Sequence, residues 1–125
     1  MSYSTTWEES GVVWTFRGKV TGSEVLQANR EIYGDPRFDR LKYQIVDLTG
    51  VELFDVTEDD MAVIAANDRA AARSKPHVRI AVAAEDEIIK DLSAFYDAAM
   101  VGTPWNQRIF DSMSEAREWL AHGAT

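Results

Sequence analysis

The sequence predicts one α/β domain built on a small, mixed and largely parallel sheet that opens with an N-terminal hairpin and carries helices on both faces. Three observations lead there. Strand-like apolar runs alternate with stretches of helical periodicity, the order that right-handed crossovers turn into a parallel sheet. Helix starts are marked by capping residues at Thr21, Thr57, Asp86 and Ser112. The pair Ile45-Val46 and residues 80–84 are apolar without alternation, as strands covered on both faces are.

The elements follow in order. β-rich runs at residues 5–8 and 12–17 flank the turn pair Ser10-Gly11, giving a hairpin in which Val12, Trp14 and Phe16 share a face. Thr21 and Glu24 form a capping box, and Val25, Leu26, Asn29, Ile32 and Tyr33 follow at helical spacing. A first helix is therefore expected over residues 22–33, closed by Gly34 and Asp35-Pro36. Residues 41–48 are branched and aromatic enough for a strand ending at Asp47. A loop then leads to Thr57-Glu58-Asp59-Asp60, where a hydroxyl cap and acids suit a positive helix end, and Met61, Ile64, Ala65 and Ala72 carry the period to Ser74. Residues 78–84 form the next strand, and Asp86 caps a helix whose core stripe is expected at Ile88, Leu92, Phe95 and Ala99. Gly102-Thr103-Pro104 ends it. Residues 108–110 are a short strand, and Ser112 with Glu115 caps a closing helix through Ala116, Trp119 and Leu120. Nothing repeats and no linker interrupts, so residues 1–125 are expected to form a single domain.

Composition narrows the function. A chain of 125 residues buries roughly two-thirds of its unfolded surface on folding, enough for a core of its own. It has no cysteine, so packing must hold that core without disulfides or thiolate-bound zinc, which suits a reducing, cytoplasmic setting. Residues 1–10 are polar and carry Glu8 and Glu9, unlike a signal peptide, and no apolar run approaches the length of a membrane span. Twenty-one acidic against thirteen basic side chains leave a net charge of −8, which repels phosphate backbones and argues against nucleic acid as a partner.

Most catalytic chemistry lacks its parts. The chain has no cysteine nucleophile, no G-x-S-x-G elbow and neither of the glycine-rich phosphate loops, and Gly18-Lys19-Val20-Thr21-Gly22 has the residues of such a loop without its spacing. The two histidines, His77 and His122, have no nucleophile and orienting group to work with. A protein that is not an enzyme, needing no cofactor, is expected. Arg69, Arg73, Lys75, His77 and Arg79 cluster at the end of the second helix, where cations complement the negative terminus. Asp47, Asp55, Glu58, Asp59 and Asp60 lack the calcium-loop pattern and read as helix-start acids, not metal ligands. Asp47 and Asp55 nonetheless lie at and beyond the carboxyl end of a central strand, where ligand sites of open α/β sheets collect. Phe54, Tyr96 and Trp105 are candidates to line a pocket.

The segment Ile45-Val46-Asp47-Leu48-Thr49-Gly50-Val51-Glu52-Leu53-Phe54-Asp55-Val56-Thr57 resembles the signature of the anti-sigma-factor antagonist, or STAS, domains. The order of elements resembles that fold too. The closing residues 108–120 resemble the end of the uncharacterised SpoIIAA-like proteins, which are grouped with STAS and with the Sec14 lipid-binding fold. The resemblance implies a regulatory or protein-interaction module with a protein partner and no intrinsic catalysis. Asp55 matches the aspartate of the family's Asp-Ser-Ser-Gly motif and Thr57 the hydroxyl residue that a partner kinase phosphorylates. Val56 and Glu58 replace the first serine and the glycine, and Asp59 and Asp60 follow. A phosphate on Thr57 would gain from the helix N-terminus but meet three carboxylates, so Thr57 is expected to remain an unmodified cap. The binding edge is thus expected at Asp47, Thr49, Asp55, Thr57 and Glu58. The alternative implied by the Sec14 branch is a carrier or sensor of a small apolar or lipid-like ligand. A homodimer is compatible with either.

Overall fold

A computed structural model describes residues 2–122. Over these residues the order is β1 (Tyr3–Trp7), β2 (Gly11–Thr21), α1 (Gly22–Tyr33), a 3-10 turn (Pro36–Arg40), β3 (Tyr43–Asp55), α2 (Glu58–Ser74), β4 (Arg79–Ala83), α3 (Glu87–Ala99), β5 (Asn106–Phe110) and α4 (Met113–His122). The strands lie side by side in sequence order, β1 antiparallel to β2 and the remaining three pairs parallel. This is the mixed sheet with an opening hairpin that the sequence predicts.

Each parallel step moves one strand on in the same direction, so crossovers of one hand must place α1, α2 and α3 on one face. They do. Trp14, Phe16, Ile80 and Val82 from the sheet pack there with Ile32 of α1, Ile64 of α2 and Ile89 of α3. The last helix alone crosses to the other face, where Ala116 packs on Val13, Ile45 and Ala81. Both faces are covered, unequally. Ile45, Ile80 and Val82 are buried as the unbroken apolar runs require, while Val46 is only half-buried. The expected caps form: Thr21 and Thr57 each complete a capping box, Asp86 accepts from the amides of Ile88 and Ile89, and Ser112 accepts from the amide of Glu115.

Two expectations are corrected. β3 does not stop at Asp47. It runs to Asp55, and β2 extends to Thr21, so the expected loop is the second half of a strand pair. Gly18 and Thr49-Gly50 lie within this pair and accompany bulges. The register slips between Thr15 and Arg17 and again between Gly18 and Lys19, with Gly18 at φ +64°. The core stripe of α3 is also rotated from the expected one. Ile88 is 65% exposed, while Ile89, Leu92, Ser93 and Tyr96 face the sheet and Phe95 and Ala99 are half-buried. Adjacent isoleucines let the helical period fit either phase. The observed phase lets the Tyr96 hydroxyl donate to a carboxylate on α2, and the Ser93 backbone carbonyl accepts from Gln107 on β5.

Helix α4 is tied to the hairpin by charge. The Arg117 guanidinium donates to both oxygens of Glu8, each at 2.7 Å, and the Tyr43 hydroxyl donates to the same carboxylate. Those Arg117 hydrogen bonds, ahead of the Tyr43 one, hold the Glu8 pKa down at about 2. The Tyr43 ring meanwhile lies flat against Gly11, where a methyl group would come within 2.2 Å of it. At the other end of the helix, Arg79 donates to the carbonyls of Trp119 and Leu120. No helix among the described residues is long and apolar enough to cross a membrane.

Candidate functional site

The pairing of β3 with β4 ends at Asp47 and Ala83, whereas its pairing with β2 continues to Asp55. Beyond Asp47 the strand therefore has one hydrogen-bonded side and one open edge among the described residues. Asp47 marks the change: its Oδ1 accepts from the Thr49 amide at 3.0 Å and from the Thr49 hydroxyl at 2.7 Å. Past this point Thr49, Gly50, Glu52, Leu53 and Asp55 are exposed, and Leu53 keeps 55% of its surface.

The strand delivers the chain to the start of α2. Thr57 is exposed and extended, and its hydroxyl accepts from the Asp60 amide at 3.1 Å while Asp60 Oδ2 accepts from the Thr57 amide at 3.0 Å. Because Thr21 pairs with Asp55 across the sheet, α1 and α2 begin side by side. Gly22, the first residue of α1, leaves room for the Asp60 carboxylate, since a methyl there would lie 2.0 Å from Asp60 Oδ2. The Asp60 carboxylate thus caps α2 and lies beside the start of α1, whose own cap is the Thr21–Glu24 box. Asp55, Thr57 and Glu58 are brought together at this end of the sheet, and Asp47 and Thr49 sit further back along the same strand.

A second feature lies behind it. Between the sheet and the three helices is a cavity of about 90 Å³ whose walls include Trp14, Gln44, Val46, Asp68, Ser93 and Tyr96. Of the three candidate pocket residues, Phe54 and Tyr96 are among its lining and Trp105 is not. The Trp105 indole N–H instead donates at 2.6 Å to the Lys75 carbonyl, which fixes it between the end of α2 and β5. The wall residues that remain partly exposed are Val46 and Gln107 on the sheet and Val25, Phe54 and Met61, which belong to the first turns of α1 and α2 and to the end of β3.

The polar side of the cavity escaped the sequence reading. Asp68, 2% exposed, accepts from Asn29 Nδ2 at 3.0 Å, from the Tyr96 hydroxyl at 2.6 Å and from the Tyr33 hydroxyl. Asn67 donates to Asn29 Oδ1 at 3.0 Å, so all three helices share the network. No cation joins the bonds to this carboxylate, and burial pushes the Asp68 pKa up against the opposing pull of those bonds. The signal was present: Asp68 stands four residues after Ile64 and four before Ala72, inside the apolar stripe.

The basic cluster does not converge. Arg69 donates to the carbonyls of Ala99 and Val101 at the end of α3, Lys75 to that of Asp39, and Arg79 to α4, so these cations satisfy helix ends and turns of other elements. His77 is exposed in the connection to β4, and His122 is exposed at the end of α4. Among the described residues, no three histidine or acidic side chains gather as metal ligands would.

No family model matches the chain, and no curated protein matches it in sequence. Solved structures do match in shape. Over 97% of this chain and 98% of the other, it superposes on the unphosphorylated form of the anti-sigma factor antagonist SpoIIAA with a TM-score of 0.63 at 12% identity. The phosphorylated form of the Bacillus cell fate determinant SpoIIAA gives 0.61 at 11% identity, over 94% of this chain and 98% of that one. An uncharacterised protein of the DUF3478 family from Shewanella loihica PV-4, described as having a SpoIIAA-like fold, gives 0.53 at 15% identity over 94% and 91%. Sheet order, the three-to-one placement of helices and these superpositions agree that the chain has the SpoIIAA-like, or STAS, fold.

Proposed function

We propose that the chain is a non-enzymatic regulatory module that works by binding another protein, and that the partner docks along the open edge of β3 and the start of α2. The observation that carries this reading is the edge itself: a strand with unpaired backbone groups and an exposed Leu53, running into an acidic helix start. Strand addition at such an edge supplies backbone hydrogen bonds, and alternate side chains supply selectivity. Asp55, Glu58 and Asp59 favour a basic complementary surface, while Asp47 and Thr49 bond to each other at the bulge where the edge begins. An anti-sigma factor is the partner class suggested by the SpoIIAA likeness. Thr57 serves as the cap of α2 in a box with Asp60, and Glu58 and Asp59 add negative charge beside it, so in this reading the binding is constitutive and not phosphate-switched.

A photo-cross-linking residue placed at Leu53 in the native host tests the reading against the same residue at Val101, which is 75% exposed at the far end of α3. A protein adduct at position 53 that is absent at 101 and lost with Asp55→Lys is the expected result. Equal adducts at both positions, or none, would remove the proposed edge. Phosphate found on Thr57 in protein from that host would overturn the constitutive view.

A further inference from the structure

The cavity behind the α2 start is built to hold something. Trp14 and Gln44 are 5% and 2% exposed, both line it, and the Trp14 Nε1–H and the Gln44 side-chain NH₂ find no acceptor in the protein. Buried donors are rarely left in this state. The two residues project from adjacent strands onto the same face, Trp14 opposite Val46 and Gln44 opposite Val12, so one small group between them can meet both.

Charge limits what that group can be. No Lys, Arg or His lines the cavity, and the Asp68 carboxylate stands in its wall, so an anion has no partner there and an acid neighbour. A cation fares no better at Asp68, whose carboxylate is already engaged by Asn29, Tyr33 and Tyr96, and it has nothing to offer the two buried donors that lack a partner. The rest of the lining is mostly carbon, from Phe16, Val46, Ile64, Ile80 and Val82. At about 90 Å³ the space exceeds the roughly 10–15 Å³ that one water needs and falls short of the roughly 150 Å³ apolar cavity that takes benzene. We infer that this cavity binds a small neutral molecule that presents a carbonyl-type acceptor to Trp14 and Gln44 and an apolar remainder to the helices. Val25, Phe54 and Met61, three of its partly exposed lining residues, stand near the carboxyl end of β3, the side on which open α/β sheets receive ligands.

The test uses three probes of similar size, 2-butanone, propionate and propylammonium, titrated into the ¹⁵N-labelled full chain. Only 2-butanone should give saturating shifts of the Trp14 indole N–H and the Gln44 side-chain amide. Gln44→Leu, which keeps a buried side chain of similar volume, should weaken its binding about tenfold while unfolding stays cooperative. Trp14→Phe gives the same comparison should the first variant not fold. Absence of saturation, equal shifts with all three probes, or binding indifferent to both variants would overturn the inference. So would ordered water detected at both N–H groups that 2-butanone does not displace, since the donors would then be satisfied by solvent alone.

Discussion

Replacing Asp68 by alanine should destabilise the chain more than any surface acid can, and the size follows from what it leaves behind. Three donors lose their acceptor. Tyr33 is only half-buried and can turn to water, but Asn29 and Tyr96 are 6% and 3% exposed and cannot. Two orphaned donors at about 1–3 kcal/mol each, less the relief of no longer burying an acid, give a net loss of about 2–4 kcal/mol. Asp68→Asn keeps the shape and one acceptor, and the Tyr96 hydroxyl can rotate to accept from the new amide, so its loss should stay near 1 kcal/mol or below, about that of one ordinary hydrogen bond. Urea midpoints read at constant slope measure both. The pH dependence has a definite sign. Burial raises the Asp68 pKa above the usual 3.8, so just above that pH the folded chain keeps a proton that the unfolded chain has released. Stability from this group therefore falls as pH rises from 3.8 through the folded pKa. Asp68→Asn should flatten that fall. Equal midpoints for wild type and Asp68→Ala, or a wild-type-to-Asn difference that ignores pH, would refute the reasoning.

Glu8 works in the opposite sense. Its pKa is lowered from 4.5 to about 2, so the tie from α4 to the hairpin is complete above 4.5 and is lost as pH falls toward 2. Faster amide exchange in α4 over that window, abolished as a pH effect by Glu8→Gln, checks it. Gly11→Ala should cost about 1–3 kcal/mol, because its methyl must displace a Tyr43 ring pinned to Glu8, while Gly34→Ala, where a methyl meets only the Glu31 carbonyl at an ordinary 3.9 Å and φ is −89°, should be neutral or stabilising in the same thermal melts. Thr57→Ala should lower stability by about 0.5–2 kcal/mol through the lost cap, and unchanged denaturant midpoints would count against that role.

The elements were legible because they are specified locally. A hydroxyl three residues before an acid marks a helix start whatever surrounds it, and the boxes at Thr21 and Thr57 form as written. What failed depended on distance. Whether Gly50 ends a strand or bulges within it is decided by the partner, and the partner is Arg17, 33 positions earlier in the chain. Ile88 and Ile89 offer the helix two phases of equal hydrophobicity, and the observed one lets Tyr96 reach Asp68 on another element. The edge at Asp55 and Thr57 was visible as a motif, but its openness was not, because that follows from the shortness of β4.

The cavity was hidden for a more general reason. Alternation between apolar and polar residues identifies the wet side of a strand only when that strand has a wet side. Gln44, between Tyr43 and Ile45, would count as a surface residue on an edge, and Asp68, although it falls within the apolar stripe of α2, is of a residue type that ordinarily marks a wet face. In β3, with strands on both sides and helices above and below, Gln44 has nowhere to go but inward, and α2 turns Asp68 the same way. A polar residue in such a place carries a desolvation cost that packing alone would remove by substitution with leucine. Asp68 offsets that cost with three hydrogen bonds inside the protein; the free donors of Gln44 and Trp14 do not. That difference separates the part of the polar core that ties helices together from the part that faces the cavity and awaits an acceptor.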